Sequence, residues 1–342
     1  MNNELNGLLR LLGVDGVDDR NAWRCMSMVL NHGCVPSRQG LPSWGFKLLI
    51  LDRRGRPEWF ARCSWSSRSE MLRETELLDA LTLDPFAHEH VPEHRTGYTE
   101  RIFVQLNRHL GARAYSAQLP RINVARWASD VGGIIDVAEA LMERATALVP
   151  ALRAHASAAD RKSSVGADLA RIAHAGVSSR AIESLALSLK PIGELPFVLQ
   201  HGDLWPSNVI RSADRWWVID YSECGFVWVP LYDVFHLLHN GPPSATQLWY
   251  AQAWGKLPDA WSRARWALVR RCAERHGLSA RDVGTCLVHY LVHLAAYRLR
   301  PGVPLMWSTA LLATIEQVGS FLADGGTTAT LIPWKEPGAQ AS

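Results

Sequence analysis

The sequence predicts an α+β protein of two lobes, with a small antiparallel β N-lobe carrying one helix and a larger, mainly helical C-lobe. Three observations lead there. Short β-patterned runs broken by turn residues lie before about residue 105. From Trp127 onward, apolar residues recur at helical spacing. The chain, at 342 residues, is long enough to bury a large core, and two lobes are an ordinary outcome at that length. The expected division is 1–105 for an N-terminal extension and N-lobe, 106–324 for the C-lobe, and 325–342 for a flexible tail rich in Gly, Pro and Thr.

The elements follow in order. Residues before about Val35 read as an amphipathic, helical extension. Residues 45–52 read as a strand, 53–57 as a turn and 58–63 as its hairpin partner. Ser69 is placed to cap a helix running to Leu81, with Leu72, Leu77, Leu78 and Leu81 on its apolar side. Residues 101–105 form a further strand candidate, and His88, His90 and His94 fall in an expected loop crossing between lobes. Ile134, Ile135, Ala138, Leu141, Met142, Ala145, Leu148 and Val149 then mark a helix that stops at Pro150. Weaker helices reach about Lys190, and others are expected near residues 245–254, 259–275, 280–299 and 305–322.

Composition excludes several classes. Hydrophobic residues make up 48% and charged residues 20%, which fits a globular chain and not a disordered one. A formal charge of +3 without a concentrated Lys/Arg run gives no reason to expect a nucleic-acid partner. No apolar run reaches the roughly 18 residues of a membrane span, and the first residues lack the pattern of a signal peptide. The six cysteines are dispersed without a CxxC pair and read as reduced thiols of a cytoplasmic protein. Oligomeric state is not legible. His289 and His293 stand i, i+4 among apolar neighbours and read as packing residues.

The chemistry concentrates in His201-Gly202-Asp203-Leu204-Trp205-Pro206-Ser207-Asn208, followed by Val218-Ile219-Asp220. Four fixed residues in eight positions arise by chance at roughly one starting point in 10⁵, at about 5% usage each. Phe197 to Gln200 read as a short buried strand entering the motif, and residues 208–219 as a hairpin around a polar turn. An acid, an amide and a second acid at this spacing suit phosphoryl transfer, which needs positioning and charge neutralisation more than covalent help. Asp203 can take or orient the proton of an attacking hydroxyl. Asn208 and Asp220 can bind metal ions that hold a nucleotide's phosphates. The competing reading is a buried polar turn in which Asp203 and His201 only satisfy backbone groups. Trp205, inside the motif, either stacks on a substrate or props the loop.

With Pro230-Leu231-Tyr232-Asp233 added, this pattern resembles the aminoglycoside phosphotransferase and choline kinase group, whose members share the protein-kinase-like fold. The resemblance spans about residues 195–240. It implies Asp203 as catalytic base, Asn208 and Asp220 as Mg²⁺ ligands, and His201 and Asp233 as supports of the catalytic loop. It also implies ATP or GTP as donor and a strand Lys paired with a helix Glu beside the phosphates. Glu74 fits the acid, whereas the strand position carries Arg62. Arginine keeps the charge but is longer and planar, so either the nucleotide site is atypical or the strand is shifted; a surface Arg–Glu pair is the plainer reading. Residues 37–45 occupy the place of the phosphate loop with only Gly40 and Gly45 as glycines, and Ser43 is a candidate phosphate contact. Adenine would meet the linker after Gln105.

The implied activity is transfer of a nucleotide's terminal phosphate to a hydroxyl of a small molecule: a sugar, an amino alcohol or an antibiotic. Glu223 is the one acid close after Asp220 and no acidic run follows, which argues against a polycationic acceptor. The alternative is a catalytically weak kinase-like binding protein, favoured by Arg62 and the poor glycine loop. A protein kinase is disfavoured, because twelve residues between Asp220 and Asp233 leave no room for a long activation segment.

Overall fold

The computed structural model describes residues 2–14, 25–28, 45–52, 54–64, 68–99, 102–155, 157–212, 215–239, 260–299 and 306–333. The chain divides into two compact units, Met1–Arg113 with Ile210–Ser222, and Ala114–Val209 with Glu223–Ser342.

The first unit is built on a five-stranded sheet of order β1-β2-β3-β5-β4 in which every pairing is antiparallel. Its strands are β1 (Cys25–Met28), β2 (Gly45–Leu51), β3 (Pro57–Ser64), β4 (His94–Tyr98) and β5 (Phe103–Arg108). The β2–β3 turn closes because Asp52 Oδ1 accepts from the backbone N–H of Arg54 and Arg56, while Gly55 takes a φ of +75°. Strand alternation sends Trp59, Ala61 and Cys63 of β3 into a core with Ile50, Val104 and Leu106. Leu8, Leu9 and Val14 close that core from helix α1 (Asn2–Leu11) and the turn after it. The intervening residue Arg62 therefore lies on the opposite face, paired in register with Lys47 and Gln105.

Two strands depart from the sequence reading. Cys25–Met28, expected within a helical extension, pairs with β2 as an edge strand. β4 begins at His94, the last residue of the expected histidine loop, and its half-exposed sequence hides it from any apolar pattern. Gly97 in β4 has a local reason: a Cβ there would stand 2.9 Å from the Leu8 side chain, so glycine lets α1 approach the sheet. The three histidines are used separately. His88 ends the short helix α3 (Pro85–His88), His90 Nδ1 donates to Trp216 O at 2.7 Å, and His94 Nε2 lies 2.7 Å from Asp79 Oδ1. Helix α2 (Arg68–Leu83) buries Leu77, Leu78 and Leu81, and Glu74 with them. The two-stranded sheet β6 (Val209–Ser212) and β7 (Arg215–Val218) falls almost entirely in this unit.

The second unit is helical. The helix expected before Pro150 is α4 (Val124–Leu148), capped by Asn123 Oδ1 on the N–H of Arg126 at 2.9 Å. Then come α5 (Ala158–His174), α6 (Ser179–Ser188), α7 (Tyr232–His239), α8 (Ala260–Arg275), α9 (Ala280–Arg298) and α10 (Met306–Ala323). α9 starts from a capping box of Ser279 and Asp282 and is buried along most of its length, packing against α5, α7 and α10. The beginning of the segment read as a tail is packed: Leu331 is buried and Thr328 Oγ1 donates to Arg281 O. The helix expected at 245–254 lies outside the described residues.

Phe197 to Gln200 make two backbone bonds in extended form, Val198 N–H to Trp228 O and Gln200 N–H to Val227 O, without forming a regular strand. Buried Arg161 of α5 braces the flanks of this segment by donating to the carbonyl oxygens of Ile192, Leu195 and Pro196 before it and of Trp228, which Val198 also bonds. One guanidinium so satisfies several backbone acceptors that burial would leave orphaned.

Candidate functional site

The motif loop in the second unit begins with a turn only glycine fits. Gly202 has a φ of +85°, and a Cβ there would stand 2.7 Å from the carbonyl oxygen of Glu223. The preceding His201 is fully buried, and its Nδ1 accepts from the N–H of Asp203 at 3.3 Å. Asn208 folds the loop back on itself: its Nδ2 donates to both the backbone oxygen and Oδ2 of Asp203, each at 2.9 Å. The amide nitrogen being committed to Asp203, the amide oxygen remains the donor Asn208 can offer a cation.

Helix α7 supports this loop from below. Asp233 is buried, and its carboxylate accepts from the N–H of His201 at 2.6 Å and of Gly202 at 2.9 Å. Gln200 Oε1 in turn accepts from the N–H of Asp233 at 2.9 Å. Burial pushes the Asp233 carboxyl above the usual carboxylate value, opposed by His201 and by the two N–H donors. A residue absent from the sequence reading joins here. His236, one turn beyond Asp233, places Nε2 at 3.3 Å from Asp203 Oδ1. Its only signal in the sequence is the i, i+3 spacing from Asp233, which carries meaning once α7 is known to face the loop.

The first unit assembles the remaining charged residues. Arg62 Nη1 lies 2.9 Å from Glu74 Oε2 and 3.7 Å from Asp220 Oδ1. Burial raises the Glu74 carboxyl, Arg62 opposes that rise, and the nearby Asp220 reinforces it. The pair is therefore no surface ion pair: Glu74 is 4% exposed. Asp220 adopts a φ of +63°, rare for a residue with a side chain, and its Oδ1 accepts from Ser222 Oγ at 2.8 Å. Arg62, Glu74 and Asp220 thus come together in one unit, and His201, Asp203, Asn208 and Asp233 in the other. Ser43 lies outside the described residues.

A cavity of about 230 Å³ opens beside the motif loop within the second unit. Asp203, Trp205 and Glu223 line it together with Tyr232 and His236 of α7 and Arg298 of α9. The wall is rich in rings, with Asp203 and Glu223 as its acids and Arg298 as its strong cation. His293 also reaches this wall, but its Nδ1 bonds Asp168 Oδ2 at 2.7 Å, as suits a packing histidine.

Residues 60–267, more than half of the chain, match the model of the phosphotransferase enzyme family, and the chain belongs to that family. Its fold is protein-kinase-like, as two solved structures show. Choline kinase from Cryptosporidium parvum superposes with a TM-score of 0.55 at 10% identity, covering 95% of this chain and 97% of that one. A thermostable mutant of the aminoglycoside phosphotransferase APH(4)-Ia gives 0.50 at 12% identity, covering 91% and 97%. A macrolide 2'-phosphotransferase from Brachybacterium faecium gives 0.42 at 17% identity, covering 82% and 98%. No curated protein matches the sequence.

Proposed function

We propose that this phosphotransferase moves the terminal phosphate of ATP or GTP to a hydroxyl of a small molecule held in the cavity beside Asp203. The observation that carries the reading is the Asp203 carboxylate: it lines a cavity and is oriented by donors on both of its oxygens. Asp203 would accept the hydroxyl's proton as the oxygen attacks the terminal phosphorus and the nucleoside diphosphate leaves. Asn208 and Asp220, an amide and a carboxylate, are hard oxygen donors that suit Mg²⁺ and are the residues we assign to it. Bound Mg²⁺ would neutralise phosphate charge. Arg62, set by Glu74, is assigned to the phosphates in place of the usual lysine. Cys63, Cys224, Cys272 and Cys286 are buried thiols, in keeping with a cytoplasmic enzyme, and among the described residues no helix is long and apolar enough to cross a membrane.

The cavity wall favours the acceptor class. Stacking surfaces at Trp205 and Tyr297, with Arg298 balancing Glu223, suit a neutral or singly charged ring-bearing hydroxyl compound such as a sugar. A polycationic antibiotic would call for more acids than Asp203 and Glu223. The test is transfer of labelled terminal phosphate from ATP or GTP with Mg²⁺ to panels of sugars, amino alcohols and aminoglycosides. A labelled product that disappears with Asp203→Ala supports the reading. Full transfer by Asp203→Ala would remove the catalytic assignment. The second reading, a catalytically weak binding protein, rests on Arg62; nucleotide binding without transfer to any acceptor or to water would favour it.

A further inference from the structure

Helix α7 reaches the motif loop twice. Asp233 takes its backbone N–H groups, and His236, one turn later, meets its reactive side chain. The far ring nitrogen of His236, Nδ1, faces the hydroxyl of Tyr290 on α9 at 3.4 Å. A carboxylate oxygen only accepts, so the contact with Asp203 needs the ring proton on Nε2, and a neutral ring then accepts from the Tyr290 hydroxyl at Nδ1. The Nε2 proton points at Asp203 Oδ1, 3.3 Å away. Asn208 donates to the other oxygen, Oδ2, at 2.9 Å. Two donors on two different oxygens fix the plane of the carboxylate, because turning it about its last torsion would break both bonds.

The imidazole is itself fixed. The ring of Tyr232 stacks on it at 6.1 Å and 15°, and Tyr290 meets it edge-on at 6.0 Å and 69°. His236 is 7% exposed and still lines the cavity. Ring packing alone explains a buried histidine among tyrosines. It does not explain an N–H aimed at the one carboxylate through which the site would act. Both contacts are long for hydrogen bonds.

We propose that His236, backed by Tyr290, is a positioning residue that sets the orientation of the Asp203 carboxylate toward the acceptor hydroxyl. The proposal rests on the reading of Asp203 as catalytic base. It is tested on the full chain with water as acceptor, by phosphate release from Mg²⁺–ATP and Mg²⁺–GTP. The variants are Asp203→Ala, His236→Phe, His236→Gln and Tyr290→Phe. His236→Phe keeps a ring and removes the donor, and is expected to lower kcat roughly tenfold with the nucleotide KM unchanged. His236→Gln, which can return an N–H to the same place, is expected to restore most of that loss. Tyr290→Phe is expected to give a smaller fall. Crystal structures of wild type and His236→Phe give a second measurement independent of turnover, and should show the Asp203 carboxylate rotated in the variant. A carboxylate that stays in place, or a folded His236→Phe that turns over like wild type while Asp203→Ala does not, would overturn the proposal. Unchanged turnover in Asp203→Ala would instead remove the base reading, and this proposal with it.

Discussion

Gly202 and Arg62 show how single residues set the local geometry, one in each unit. With φ at +85° and the Glu223 carbonyl 2.7 Å from where a Cβ would sit, Gly202→Ala meets both a left-handed penalty and a backbone clash. The conformational part alone costs about 1–2 kcal/mol. Calorimetry on the variant is expected to show a lowered Tm, and the displaced loop a loss of turnover larger than any change in nucleotide affinity. Arg62→Ala strands a buried Glu74 and is expected to cost roughly 2–3 kcal/mol, less than a fully buried pair because Arg62 itself is 29% exposed. Arg62→Lys keeps the charge and should recover much of that stability in a denaturant titration. An Arg62→Ala protein as stable as wild type would return the pair to a surface contact. At this scale the sequence was informative: Asp203, Asn208 and Asp220 stand out by spacing alone. His236 did not, because its partner lies 33 residues away and no local pattern joins them.

Among the elements, α7 connects sequence to site most directly. Its Asp233 accepts two backbone N–H groups of the loop, that of His201 in a buried bond and that of Gly202 in a part-buried one. Asp233→Ala leaves the buried His201 N–H unpaired at about 1–3 kcal/mol, with a smaller cost at Gly202, so unfolding experiments should show one of the larger single-residue losses in the chain. Asp233→Asn, which keeps one acceptor oxygen, is expected to fall between. Helices were legible where apolar residues recur over several turns, as in α4, α8, α9 and α10. The strands β1 and β4 were not, because short edge strands with mixed polar faces carry no period-2 signal and are defined by their partners. Conversely, Phe197 to Gln200 look like a strand but are held by two backbone bonds and, at their flanks, by Arg161, a tertiary arrangement that local pattern does not contain.

For the molecule as a whole, acid sensitivity follows from histidines buried in the helical unit. Burial lowers His239 and His289 to about 3, against an ordinary value of 6.5. Between those values the unfolded chain binds the protons that the folded chain excludes. The contribution is therefore complete above pH 6.5 and is lost progressively as pH falls toward 3, at about 1.4 kcal/mol per pH unit for each histidine. Unfolding free energies of wild type and His289→Phe, measured from pH 7 to 5, should differ in slope by about one proton, with the variant less pH-dependent. Parallel slopes would mean that His289 is protonated in the fold.

In the proposed function, Asp220 works with a magnesium ion to hold a nucleotide's phosphates. The most direct measurement is calorimetric titration of ATP and GTP, with and without Mg²⁺, into wild type and Asp220→Ala. Binding of at least one nucleotide that depends on Mg²⁺ and is lost in Asp220→Ala is the expected result. Failure of both nucleotides to bind, or binding indifferent to Mg²⁺ and to the substitution, would contradict it.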